Sequence, residues 1–392
     1  MMDERAMMVG EWLQGESTVS ALAVKYGVSR KAIYKWISRH AEGGWEALSD
    51  RSRAALNHPN AISQEIERTL LEIKADKPLW GAPKLRWKLI ELIGEASCPA
   101  ESTVSEILRR HGLSGPRKNR RRAVPTQSAP LGHCHSSNEV WCADFKGWFR
   151  TGDGKKCTPL TISDAHSRYL LRCQGMCGRT GAVEVKPLFI ATFREYGLPQ
   201  AIRTDNGPPF ASCGLCGLSE LSVWWMLLGI RLERIEPGKP QQNGRHERMH
   251  RTLGEATAAP PRANLREQQK AFDEFRKEYN HERPHEALGQ RPPGEIYQPS
   301  GREYRDRKLR QAGYPDEWEK RKVRKEGQIK WKDKDIRISG ALKGLEVGLR
   351  PVAEAKWAVY FEHVELGIFD ERKGRVTGVR LLKTQSAKEE LE

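Results

Sequence analysis

No run in the 392-residue sequence approaches the roughly 20 consecutive apolar residues that a bilayer-spanning helix needs. The opening stretch Met1 to Gly10 carries acids and lacks an apolar signal core, so neither membrane insertion nor secretion is expected. Cysteine is scarce at eight, and without a secretory signal these residues read as reduced thiols of a cytoplasmic protein. Acidic residues are in deficit too: 51 Asp and Glu against 67 Lys and Arg leave a net charge of +16. Such an excess suits a polyanionic partner, and with the membrane option weakened that partner is nucleic acid. Internal repeats at solenoid periods are missing. What is present is a hydrophobic share of 38% with 12 Trp, enough for packed cores. The chain is also too long for one ordinary domain.

Short helical rhythms fill residues 1–58. Val19, Leu22, Ala23 and Tyr26 share one helical face, Gly27 supplies a turn, and Ser29 suits the N-cap of a second helix with Ile33, Trp36 and Ile37 inward. This is a helix-turn-helix pattern. Its outward residues Arg30, Lys31, Tyr34, Lys35 and Arg39 can meet phosphates and base edges in a major groove, although a solvated basic face would read the same way. Residues 59–114 predict a second helical, helix-turn-helix-like domain. Its stripes are Ile66, Leu70 and Ile73, then Leu85, Leu89 and Leu92, then Val104, Ile107 and Leu108 after a cap at Ser102 or Thr103. Residues 115–136 read as a basic linker. Arg117, Lys118, Arg120, Arg121 and Arg122 repel one another, so they are expected along DNA phosphates.

From residue 137 to 300 the period changes. Strands at 140–145, 157–164 and 168–172 precede a helix at 183–196, a strand at 201–204, a helix at 218–228 and a strand at 230–235. Helices at 241–255 and 265–279 follow. Strands first, then alternating helices and strands, predict an α/β core with a mixed sheet. Residues 301–392 are expected to begin as a charged helix and end in a small β-barrel.

Three acids stand out in this basic chain. Asp144 sits in an otherwise apolar strand, where an unpaired charge is costly. Asp205 follows a short strand and precedes the turn-forming run Asn206-Gly207-Pro208-Pro209, a position that commonly faces a ligand crevice. Glu247 lies on the helix opened by Pro240-Gln241-Gln242-Asn243-Gly244. Singly, each has a plain explanation as a strand-end ion pair, a turn cap or a helix-surface pair with Arg251. Carboxylates from three separate elements can together hold two divalent ions for displacement at phosphorus, and oxygen ligands favour Mg²⁺ or Mn²⁺ over zinc. Ligand-like spacings also occur in His133-Cys134-His135, Cys173 with Cys177, and Cys213 with Cys216. No second pair stands at finger spacing, so reduced thiols are expected.

Trp141-Cys142-Ala143-Asp144-Phe145, Arg203-Thr204-Asp205-Asn206-Gly207-Pro208-Pro209-Phe210 and Pro237 to Arg248 resemble the three blocks of the integrase-core transposases. These are bacterial insertion-sequence enzymes related to retroviral integrases. Tyr279 to Gly289, followed by Pro292-Pro293, is similar to the end of that core. The resemblance covers about residues 135–300 and implies a ribonuclease H-like fold with an Asp144, Asp205 and Glu247 triad. The two aspartates would ligate both of two Mg²⁺ (or Mn²⁺) ions, and Glu247 would complete one shell. Asn206, Lys239, Asn243, His246, Arg248 and Arg251 are then expected contacts to DNA or water.

The implied activity is cleavage of element ends and joining of the freed 3′-hydroxyls to target DNA by a homo-oligomer assembled on DNA. An inactive helix-turn-helix regulator and a ribonuclease H-like nuclease without strand transfer are the alternatives. One departure from the family pattern is the 41 residues between Asp205 and Glu247, several more than its commonest spacing. The surplus falls at 211–219 and is expected to form a lid or a DNA-contacting loop.

Overall fold

Hydroxyl caps start the helices near the N-terminus. Thr18 Oγ1 accepts from the Ala21 N–H ahead of α2 (Val19–Lys25), and Ser29 Oγ accepts from the Ala32 N–H ahead of α3 (Arg30–Gly43). Gly27, at φ +64°, turns the chain between them. With α1 (Met2–Leu13) these helices enclose Met8, Val9, Leu22 and Ile33. Trp36 is half-buried beneath the guanidinium of Arg5, 4.0 Å away. The computed structural model describes residues 2–50, 62–114, 134–212, 214–235, 244–306 and 313–378, and the chain forms two compact units that divide at residue 64.

The second unit begins with α4 (Gln64–Asp76), α5 (Ala82–Ile93) and α6 (Glu101–Arg110). Leu70, Leu85, Leu89, Val104, Ile107 and Leu108 are buried as the stripes predict, whereas Leu92 is exposed. The third helix is capped at Ala100, with Ser102 and Thr103 inside it, because Glu101 already begins the helical turn. Trp80, 1% exposed, anchors these helices to the rest of the unit: its indole N–H donates to Glu278 at 3.1 Å. Lys77 bonds Glu282 at 2.8 Å, and Lys84 donates to the Pro284 carbonyl.

The central sheet comprises β1 (Val140–Phe145), β2 (Phe149–Arg150), β3 (Lys156–Asp164), β4 (Leu170–Cys177), β5 (Ala201–Thr204) and β6 (Arg231–Arg234). Its order is β4-β3-β1-β5-β6, with short β2 also on β3. The first three pair antiparallel and β1, β5 and β6 run parallel. This is a mixed sheet, as the order of strands and helices predicts. Period-two alternation gives the sheet two faces. Trp141, Ala143, Leu160 and Ile162 face α7 (Ala182–Tyr196) and α8 (Glu220–Leu227) in an aromatic core with Phe189, Phe193 and Trp225. The other face meets α9 (Gly244–Thr257) and α10 (Leu265–His281) through Cys157, Cys173, Met249, Leu253 and Phe272.

The C-terminal part has β7 (Glu319–Lys322), β8 (Gln328–Trp331), β9 (Lys334–Arg337), β10 (Glu346–Ala353), β11 (Lys356–Phe361), β12 (Val364–Asp370) and β13 (Arg375–Gly378). Five form an antiparallel sheet, β13-β12-β11-β10-β7, and β8 with β9 forms a separate ribbon. Among the described residues no hydrogen-bonded pairing closes the sheet, so it is open where a barrel was expected. The expected charged helix after Gly301 is also absent from the described residues there. Instead Leu198 N–H donates to the Arg302 carbonyl, and the Arg302 guanidinium donates to the carbonyls of Pro199, Leu228 and Gly229, which holds the chain extended.

The surplus segment after Asp205 has a different place from a lid. Cys216 and Leu218 join Val223, Met226 and Leu227 of α8 in one core with Val347, Leu349, Val359, Phe361 and Leu366 of the C-terminal sheet. Apolar side chains at these positions favour that cover over an open loop.

Candidate active site

Asp144 lies on β1 with the parity of Val140 and Cys142, on the face that meets α9, and pairs in register with Thr161. Its Oδ1 accepts the Phe145 N–H at 2.7 Å. Parallel β5 pairs Val140 with Ala201, Trp141 with Ile202 and Cys142 with Arg203. Continued by two residues, that register sets Asp205 beside Asp144, across a strand spacing of about 4.8 Å. Burial first, then the charge of Asp205 and, less strongly, that of Glu247, push the Asp144 carboxyl up to about 7.

Gly207 leaves room for the Asp205 carboxylate: a Cβ there would lie 2.9 Å from Asp205 Oδ2, which would have to shift. Asp205 Oδ1 is buried and has no hydrogen-bond partner among the described residues. Arg234 lies within electrostatic reach of Asp205. Its Nη2 donates to the carbonyls of Phe210 and Gly217, while its Nε and Nη1 are buried without partners among the described residues. An orphaned carboxylate oxygen beside a carboxyl driven toward its protonated form is what a pair of oxygen ligands does without a cation. In this respect the residues fit a hard divalent ion. Among the described residues, no group of three His, Cys, Asp or Glu side chains closes into a metal-holding cluster.

Glu247 is exposed on the first turn of α9, flanked by two buried imidazoles that fix the helix. Burial and the neighbouring His250 hold His246 well below its usual range, and burial with the charge of Lys146 brings His250 down to about 4. Both rings are therefore neutral near pH 7, and a hydroxyl offers one donor and two acceptor sites. Thr161 uses all of them: it donates to the Asp144 carbonyl (3.2 Å) and accepts from Nε2 of His246 (2.7 Å) and of His250 (2.6 Å). Ser163 O–H then donates to His246 Nδ1 at 3.1 Å. One hydroxyl thus couples the Asp144 strand to the Glu247 helix.

The expected DNA contacts divide into three groups. Arg30, Lys31, Tyr34 and Lys35 are exposed on α3, Tyr34 by 61%, while Arg39 is half-buried over the Trp36 ring. Arg248 and Arg251 are exposed on α9, and exposed Asn206 donates to the Ile235 carbonyl at 2.7 Å. His246 is 3% exposed and committed to Thr161 and Ser163, so it presents no face to DNA. Arg117, Lys118, Arg120, Arg121, Arg122, Lys239 and Asn243 lie outside the described residues. So do His133 and Cys213. Cys173 is buried, Cys177 exposed, and Cys216 hydrogen-bonds the Glu365 and Leu366 carbonyls.

Three residues went unnoticed in the sequence. Thr161 and Arg234 carried no motif signal. Lys146, two positions after Asp144, was visible as a cation beside the acid; its Nζ fills the space that a Cβ on Gly254 would take.

An integrase core domain matches residues 228–293, a homeodomain-like domain residues 32–108, and a helix-turn-helix domain residues 4–55. The insertion element IS407 uncharacterized 31.7 kDa protein of Burkholderia multivorans is 27% identical over 249 residues, 62% of this chain and 86% of that protein. The insertion element IS476 uncharacterized 39.2 kDa protein of Xanthomonas euvesicatoria is 31% identical over 161 residues, 41% of this chain and 44% of that protein. The HTLV-2 integrase catalytic core domain in complex with magnesium has a TM-score of 0.33 at 18% identity, covering 42% of this chain and all of that one. The chain carries an integrase core domain behind N-terminal helix-turn-helix domains. It is homologous to the IS407 and IS476 insertion-element proteins.

Proposed function

We propose that this chain cuts the ends of its insertion element and joins them to target DNA at a single site formed by Asp144, Asp205 and Glu247. The reading is supported by the parallel β1–β5 register, which continued by two residues would pair Asp144 with Asp205, and by an Asp205 Oδ1 that is buried without a partner among the described residues. Asp144 and Asp205 would hold both of two Mg²⁺ (or Mn²⁺) ions, and Glu247 would complete the shell of one. When bound, such ions supply charge neutralisation and Lewis acidity at phosphorus.

The remaining work falls to the chain itself. Thr161, His246 and His250 orient the helix that carries Glu247, and half-buried Arg234 offsets the Asp205 charge. In the first reaction a water oxygen bonds to phosphorus, and the 3′-oxygen of the element end leaves carrying a proton. In the second, that 3′-hydroxyl bonds to a target phosphorus, loses its proton, and the target 3′-oxygen departs protonated. Arg248 and Arg251 lie on the helix of Glu247, where they can hold phosphates. The exposed face of α3 reads the element end, and joining two ends requires a homo-oligomer on DNA. Among the described residues no helix is long and apolar enough to cross a membrane, and we place the protein in the bacterial cytoplasm at DNA.

A strand-transfer assay with labelled end DNA and Mg²⁺ tests the reading. Wild-type protein should join ends to target, whereas Asp144→Asn, Asp205→Asn and Glu247→Gln should bind DNA and join nothing. Binding without joining by wild type would leave a regulator. Cleavage without joining would leave a nuclease.

A further inference from the structure

Across α9 from the acids lies a second concentration of charge, of the opposite sign. His246, Met249, His250 and Leu253 form the buried stripe of the helix. Arg245 and Glu247 are two positions apart, about 200° around a helix, so they leave on opposite flanks of that stripe. On the Arg245 flank a cavity of about 30 Å³ opens between α9, α10 and the β3–β4 turn, lined by Ser163, Asp164, Arg168, Arg203, Arg245 and Tyr279.

The charges around it do not balance. Asp164 is committed: Oδ1 accepts the Asn138 N–H, and Oδ2 accepts both the N–H and O–H of Ser167. Arg203 is paired with Glu233 at 2.8 Å. Among the described residues Arg245 reaches the Ala165 carbonyl alone, at 3.3 Å. Arg168, held at φ +67° in the turn, makes no side-chain hydrogen bond or ion pair among the described residues, and its Nε is buried without a partner. The charges of Arg245 and Arg248 further oppose that of Arg168, after its burial. An unpaired, partly desolvated guanidinium facing like charges costs stability. Such a cost is characteristic of a site shaped for a ligand.

We propose that this cavity is a phosphate-anchoring site, in which one non-bridging oxygen of a DNA phosphodiester accepts hydrogen bonds from Arg168 and Arg245. The volume admits one or two water-sized groups, so an oxygen enters and the rest of the phosphate stays at the mouth. Guanidinium forks suit that oxygen in charge and geometry. The inference rests on the reading of the chain as a DNA-joining protein and adds a strand path on the side of α9 away from the acids. Inorganic phosphate shares the chemistry, so the test separates the two sources.

The experiment measures, on the full chain, melting temperature with and without inorganic phosphate, and the salt dependence of affinity for duplex DNA. Arg168→Gln and surface-lying Arg245→Gln are compared with wild type. Arg168→Gln should melt at or above wild type in phosphate-free buffer. Each variant should lower the slope of log affinity against log salt by about one, the share of a single phosphate contact. Wild type should gain stability in phosphate, and the variants should gain less. Strand transfer by the wild type is assayed in parallel, so a failure of that reading is distinguishable from a failure of this site. An Arg168→Gln protein that melts well below wild type, with Arg245→Gln leaving the slope intact, would make Arg168 a structural residue and overturn the proposal. A phosphate effect with no change in either DNA slope would overturn it as a DNA site.

Discussion

Asp144 illustrates how one side chain records its surroundings. A carboxyl raised to about 7 in the folded state binds a proton that the unfolded chain releases near its ordinary value of about 4. Between those values the folded state holds more protons, so stability falls as pH rises from about 4 to about 7. In divalent-free buffer, Asp144→Asn should remove this share of the loss. Urea unfolding of both proteins across that window checks it, and parallel curves would refute the shift. The strand that carries Asp144 and the turn that follows the strand before Asp205 were legible because strand patterning and turn chemistry mark them. Arg234 was not: its role depends on the guanidinium folding back to Phe210 and Gly217, a contact between elements that periodicity does not encode.

At the scale of elements, the Thr161 hydroxyl joins β1, β3 and α9. Thr161→Val leaves two buried imidazole N–H groups without acceptors and should cost about 2 to 4 kcal/mol, with Thr161→Ser retaining most of the stability. Chemical denaturation measures both. The histidines shift in the opposite sense from Asp144. His250 falls from about 6.5 unfolded to about 4 folded, so its neutral state contributes stability that is present above pH 6.5 and lost as pH falls toward 4. His250→Asn should flatten that acid-side loss, seen as a smaller drop in melting temperature between pH 6.5 and 4. The period-two strands and the amphipathic α9 and α10 followed directly from pattern. The expectation for His246 failed because a histidine beside Glu247 reads as a polar contact in one dimension, whereas its position on the helix turns it inward toward Thr161 and Ser163.

At the scale of the whole second unit, α8 is the shared wall. Leu221, Trp224 and Trp225 serve the integrase core, while Val223, Met226 and Leu227 serve the C-terminal sheet. Leu218→Ala, at a fully buried position in that seam, should cost about 2 to 5 kcal/mol and loosen the sheet from the core. Proteolysis between the two parts reports it. This arrangement was hidden in the sequence because an apolar helix of this length does not reveal that it packs on two sides. The surplus residues after Asp205 gave the same ambiguity: Cys216 and Leu218 look like loop residues until the distant Val347 and Phe361 cover them.

The account turns on carboxylates, distant in sequence, that act as one cation-holding set. Mn²⁺ titration followed by electron paramagnetic resonance, on the chain bound to element-end DNA, tests that directly. Wild type should bind two ions per site, Asp144→Asn and Asp205→Asn should each lose binding, and Glu247→Gln should lose one ion. Undiminished Mn²⁺ binding by the two aspartate variants would contradict the account.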